Sequence, residues 1–145
     1  MGQVILEPAK NPCGSCPYRC DAPSGLWSES EYGKLPPFDR PLAEQPARVF
    51  MCHQADGRLC AGWVATHDMS QSLGLRIAFL NDHMTTETFE AVLKYKTNVP
   101  VFTSGQEAYD HGMRDIDDPT IKTRIKAAKL IAKRPDVDFE HRRQV

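Results

Sequence analysis

The chain has 145 residues, 41% of them hydrophobic and 26% charged, with a formal net charge of −1. That length suits one domain with a real core, and nothing in the composition departs from an ordinary soluble protein. No run of eighteen apolar residues exists to span a membrane, and the N-terminus has neither the basic nor the apolar region of a secretory signal. Leu6, where a myristoylation site needs Ser or Thr, argues against that anchor too. The expected compartment is therefore the reducing cytoplasm, where clustered cysteines read as metal ligands or redox groups before disulfides.

In chain order, Val4 to Leu6 reads as a short strand ended by Pro8. Residues 12–26 hold three Pro, two Gly and three Cys, so they form a loop or knuckle. Ser28 and Glu31 make a capping box for a short helix, with Trp27 and Tyr32 placed as a hydrophobic staple, and Pro36-Pro37 ends it. Residues 36–47 read as an irregular connection. Arg48 to Met51 is a short strand delivering Cys52 and His53, and a turn around Asp56-Gly57 returns the chain to Cys60.

The second half reads as mostly helical. Ser70 to Leu80 carries Leu73, Ile77 and Leu80 on one face, with Leu75 and Ala78 beside it. Thr85 or Thr86 caps a helix bearing Phe89, Val92 and Leu93, and Asn98 to Phe102 is extended. Ser104 and Glu107 form a second capping box, with Gly112 as the helix stop. Asp118 as N-cap and Pro119 at the first position then open a helix that buries Ile121, Ile125, Ala128 and Ala132 and stops at Pro135. The fold class expected is α+β, mainly helical: one domain over residues 1–135, with a metal-organised region at 12–63, helices at 70–134 and a flexible tail at 136–145.

Charge is unevenly spread. Residues 1–118 sum to −6, whereas 119–134 hold six cations (Lys122, Arg124, Lys126, Lys129, Lys133 and Arg134) and no acid. Such a basic helix is a candidate contact surface for a protein or nucleic acid.

The strongest chemical signal is the cysteines. Cys13-Gly14-Ser15-Cys16 brings two sulfurs to one ion from a single turn, and Cys52 and Cys60 supply two more from a hairpin-like loop. Soft thiolates suit Zn(II), and four of them close a structural site with no open position for water. The same four suit a [4Fe–4S] cluster, for which Cys20 is a further nearby thiol. His53 is an alternative ligand, but neighbours on an extended segment point opposite ways, so Cys52 and His53 do not bind one ion together.

Enzymatic readings are weaker. Pro12-Cys13-x-x-Cys16 matches half of the zinc deaminase signature, but the upstream His-x-Glu or Cys-x-Glu is missing. Pro17 after Cys16 argues against a thioredoxin-like motif, and no P-loop, dinucleotide fingerprint or His-Glu-x-x-His occurs. A metal-dependent enzyme using His53, His67 and Asp68 stays open as a third reading.

The set Pro12-Cys13-x-x-Cys16-Pro17-Tyr18-Arg19, Gly25-x-Trp27, Phe50-x-Cys52-His53-Gln54 and Cys60-Ala61-Gly62-Trp63 resembles a family of small uncharacterised bacterial and phage proteins. The resemblance runs from Asn11 to about Lys133. It implies that Cys13, Cys16, Cys52, His53 and Cys60 hold the recurring positions and that Cys20 stands where the family usually has Arg, which makes Cys20 the spare thiol. It implies no activity. A looser likeness links Cys13-x-x-Cys16-Pro17-x-Arg19-Cys20 and Gly25-Leu26-Trp27 to the iron–sulfur WhiB-like regulators, though the cysteine spacing differs. The expectation is a structural-zinc protein acting as a binding or adaptor module, with an iron–sulfur sensor or transcription regulator as the alternative.

Overall fold

The computed structural model describes residues 4–54 and 57–133. Over these residues the chain is mainly helical: α1 (Glu29–Tyr32), α2 (Ala61–Thr66), α3 (Leu73–Leu80), α4 (Thr86–Leu93), α5 (Gly105–Met113) and α6 (Ile121–Lys133). The Pro-rich stretch between α1 and α2 forms two 3₁₀ turns, Pro36–Asp39 and Leu42–Glu44, rather than wholly irregular chain.

Extended structure is reduced to isolated bridges. Met51 pairs antiparallel with Leu59, Leu6 lies parallel beside Arg58, and Arg19 pairs with Val101. The small ribbon is what places the second pair of cysteines: Cys52 N–H donates to Arg58 O at 2.9 Å, and Cys60 N–H donates to Phe50 O at 2.9 Å. The expected turn between them contains Gly57 at φ +79°; Asp56 lies outside the described residues.

Local capping follows the sequence closely. Ser28, Thr85 and Ser104 accept bonds from Glu31, Thr88 and Glu107 N–H respectively, satisfying otherwise orphaned donors. Tyr32 does more than staple α1. Its hydroxyl accepts from both Leu26 N–H and Trp27 N–H, at 3.0 and 3.1 Å.

Five expectations are corrected. The helix expected from Ser70 begins at Leu73 with Ser72 as N-cap, because Asp68 first captures Ser70 N–H in a 3₁₀ turn. On that helix Gly74, Leu75 and Ala78 are buried while Leu80 is 77% exposed, so the inner face is rotated from the one read. Gly112 does not stop α5. It lies inside the helix, where a Cβ would fall 2.2 Å from the Tyr32 ring. Finally, Thr120 rather than Asp118 caps α6, accepting from Thr123 N–H at 3.2 Å. That helix buries Thr123, Ala127 and Leu130, leaving Ile121 and Ile125 exposed at 78% and 54% and Ala128 and Ala132 exposed as well.

The core gathers around aromatic side chains beside the cysteine loops. Tyr18, Trp27, Phe38, Phe50 and Trp63 are all buried, with Leu26, Leu35, Leu59, Leu75 and Val92. Tyr18 meets Phe50 edge-on at 5.8 Å, and Phe38 meets Trp63 at 5.5 Å, both favoured geometries for ring quadrupoles. Arg134, Pro135 and the tail at 136–145 lie outside the described residues.

Candidate metal centre

Cys13, Cys16, Cys52 and Cys60 line one cavity of about 220 Å³, together with Gln54, Arg58 and Lys133. The first pair comes from a tight turn in which Cys16 N–H donates to Cys13 O at 3.0 Å. The second pair comes from the two sides of the ribbon, Cys60 being the residue that leads into α2.

The thiols meet as two couples drawn from different loops. Cys16 Sγ stands 3.6 Å from Cys60 Sγ, and Cys13 is hydrogen-bonded to Cys52. The contact with Cys60 pulls the Cys16 thiol below its ordinary range against the opposing effect of burial. The same contact, with burial, pushes Cys60 well above it. The bond to Cys52 and burial push Cys13 up. In the Cys16–Cys60 couple the contact therefore favours negative charge on Cys16 and the proton on Cys60.

Backbone donors surround these sulfurs. Cys16 faces the N–H groups of Tyr18 and Gly62, and Cys60 faces that of Trp63. Gln54 N–H donates to Cys52 Sγ at 3.4 Å, and Ser15 Oγ lies 3.7 Å from Cys13 Sγ. Such donors stabilise thiolate over thiol. Gly62 is what admits α2 to this position: a Cβ there would fall 2.4 Å from Cys16 Sγ.

The loops are braced to each other. Gln54 Nε2 donates to Ser15 Oγ, and Trp27 Nε1 donates to Ser15 O at 2.9 Å. The Trp27 indole in turn lies 4.5 Å from the His53 ring. His53 does not line the cavity. Its Nε2 meets Glu31 Oε2 at 2.7 Å, while its neighbour Cys52 lines the cavity. Burial raises the Glu31 carboxyl, but the bonds from His53 and Lys34 more than offset it and leave the group below its usual range. Cys20 is exposed and does not line the cavity.

Among the described residues, no three Cys, His, Asp or Glu side chains are set in ready-made ligation geometry. The donor set still fits a soft cation. With Zn–S bonds of about 2.3 Å, the edge of a tetrahedral site is about 3.8 Å, close to the Cys16–Cys60 separation.

A second cavity, of about 320 Å³, is lined by His67 and Asp68 with Asp39, Trp63 and Ser104. His53 is not part of it. His67 Nε2 meets Asp39 Oδ1 and its Nδ1 meets Trp63 O, each at 2.9 Å, so both ring nitrogens are engaged. Asp39 also accepts from Gly105 and Gln106 N–H, tying α5 down, and Asp68 accepts from Ser70. These are the bonds of structural braces.

The basic residues separate into different surroundings. Lys122, Lys126 and Lys129 border a groove of about 620 Å³ that also includes Ile125 and Asp21. Arg124 folds back on Pro119 O and Asp118. Lys126 Nζ donates to Gly14 O at 2.9 Å, and Lys133 reaches Gln54 Oε1 at 3.5 Å. Sequence reading missed these last two contacts. The available signal was the seven-residue spacing of Lys126 and Lys133, which returns to one helix face after two turns.

A family model described as a family of unknown function (DUF6283) matches residues 8–126, a span holding all four cavity cysteines. The resemblance to an uncharacterised domain family agrees with this match. No curated protein matches the chain. No solved structure matches it either. Among the described residues, no helix is long and apolar enough to cross a membrane.

Proposed function

The chain belongs to this family of unknown function, and we propose that it is a metal-binding module whose Cys13, Cys16, Cys52 and Cys60 hold one structural zinc ion. The observation that carries the reading is the convergence of four thiols from two distant loops on one cavity, with hydrogen-bond donors against their sulfurs. Four thiolates leave no ligand position for a reacting water, so the ion's work is to hold the loops together. This suits a region in which regular structure is scarce and the ion supplies folding energy. It also suits a reducing, cytoplasmic setting, where thiols stay available.

The 3.6 Å approach of Cys16 and Cys60 favours a single ion over a four-iron cluster. In such a cluster each thiolate binds a different iron, which sets the sulfurs farther apart. A cluster-based sensor is therefore the weaker alternative.

The outward side of α6 is the proposed adaptor surface. Ile121 and Ile125 stand exposed beside Lys122 and Lys129, an apolar stripe with a cationic border. That pairing suits an acidic protein surface better than a phosphate backbone, which makes no use of the two isoleucines.

The first test is anaerobic purification with an absorbance spectrum and Zn and Fe content per chain. The expected result is colourless protein with one zinc. Brown protein with about four irons, as [4Fe–4S] chemistry requires, would replace zinc by a cluster. Protein with neither metal overturns the reading.

A further inference from the structure

We infer that α6 is the electrostatic cover of the cysteine centre, and that helix docking and formation of the metal–thiolate centre stabilise each other. This rests on the metal reading above.

The placement of two lysines carries the inference. Thr123, Ala127 and Leu130 form the buried stripe of α6, and Lys126 and Lys133 border it seven residues apart, about 10.5 Å along the axis. Each reaches a different cysteine loop. Lys126 Nζ donates to Gly14 O, between Cys13 and Cys16, at 2.9 Å. Lys133 Nζ lies 3.5 Å from Oε1 of Gln54, the residue whose N–H bonds Cys52 Sγ.

The charges are complementary. A divalent ion held by four thiolates is a net dianion, and a partly buried anion needs compensation. Among the described residues the cavity wall offers Arg58 and Lys133 and no Asp or Glu. Like charges packed along α6 would otherwise repel one another, and an anionic centre beneath the helix relieves that repulsion. The coupling is reciprocal: whatever the centre contributes to docking, the docked helix returns to metal affinity.

The test pairs metal competition against a chromophoric chelator with hydrogen exchange of the α6 amides, on the full chain. In the wild type, α6 should exchange more slowly with zinc than after chelation. The K126Q/K133Q variant should still bind one zinc, with affinity lower by roughly 10- to 100-fold, as expected for outer-sphere partners of a metal site. That gap should narrow at high salt and the exchange difference should vanish. K126R/K133R should keep the wild-type behaviour, as should K122Q/K129Q, whose side chains border the outer groove. Equal zinc affinity in K126Q/K133Q, or wild-type α6 exchange unmoved by zinc, overturns the inference and leaves the metal site standing. A wild type that binds no zinc overturns both.

Discussion

Cys13 and Cys20 lie seven positions apart and stand in opposite surroundings, one in the cavity wall and one in solvent. Replacing Cys13 by Ser is expected to abolish stoichiometric zinc and loosen the loop-rich half, seen as lost metal and lost near-UV circular dichroism. Replacing Cys20 by Ser should leave metal content unchanged; its loss would make Cys20 a ligand. Gly62→Ala is a subtler probe, because it adds one methyl group in the path of Cys16 Sγ and Tyr18 Cβ. Overpacking of this kind costs about 1–3 kcal/mol, measurable by urea unfolding. A fully stable variant with unchanged zinc affinity would show that α2 can retreat from the sulfur. The ligand candidates were legible because their spacing is a local property of the chain. Gly62 was not, since what it admits is a sulfur 46 positions away.

At the scale of elements, α6 shows where sequence patterning stops being decisive. Two stripes compete on it: Ile121, Ile125, Ala128 and Ala132, and Thr123, Ala127 and Leu130. Hydrophobicity alone favours the first, yet the second is buried. The lysines resolve the conflict, because burying the second stripe brings Lys126 and Lys133 over the cysteine loops. Leu130→Ala should therefore destabilise the fold by about 2–5 kcal/mol, whereas I121S/I125S should stay within about 0.5 kcal/mol of the wild type. Chemical denaturation of the two variants checks this, and the reverse ranking would restore the isoleucine face to the core. Caps at Ser28, Thr85 and Ser104 were legible because they use bonds three residues long. Gly112 was misread because a local stop signal and a packing requirement look alike in sequence, and only the Tyr32 ring distinguishes them. Helix α2 went unforeseen for a related reason: it is six residues long and includes a glycine that weakens the helical pattern.

For the whole molecule, the proposed centre, with its four sulfurs in the N-terminal half and Lys133 of α6 at its wall, would make metal binding part of global stability. At free zinc one hundred times the dissociation constant, linkage adds about 2.7 kcal/mol. For a chain of this size that is roughly 5–11 °C in Tm. Thermal unfolding at graded zinc concentrations should show Tm climbing with the logarithm of free metal, and chelator should reverse it. Stoichiometric zinc with a constant Tm would place the ion outside the cooperative unit. The mainly helical class was legible from periodicity, and the extended segments were foreseen near Leu6, Met51 and Val101. Their partners were not, because pairing depends on contacts that no local window contains.

The bond from Lys126 to Gly14 joins residues 112 positions apart. During synthesis the two leading cysteines therefore leave the ribosome long before the helix that covers them exists. An ion captured early would sit in a shell still open to competing thiols and chelators. In the proposed centre the four sulfurs are all present once Cys60 has emerged, and a chain extended through α6 adds the cationic cover, so a product broken off before this helix would hold its metal more weakly.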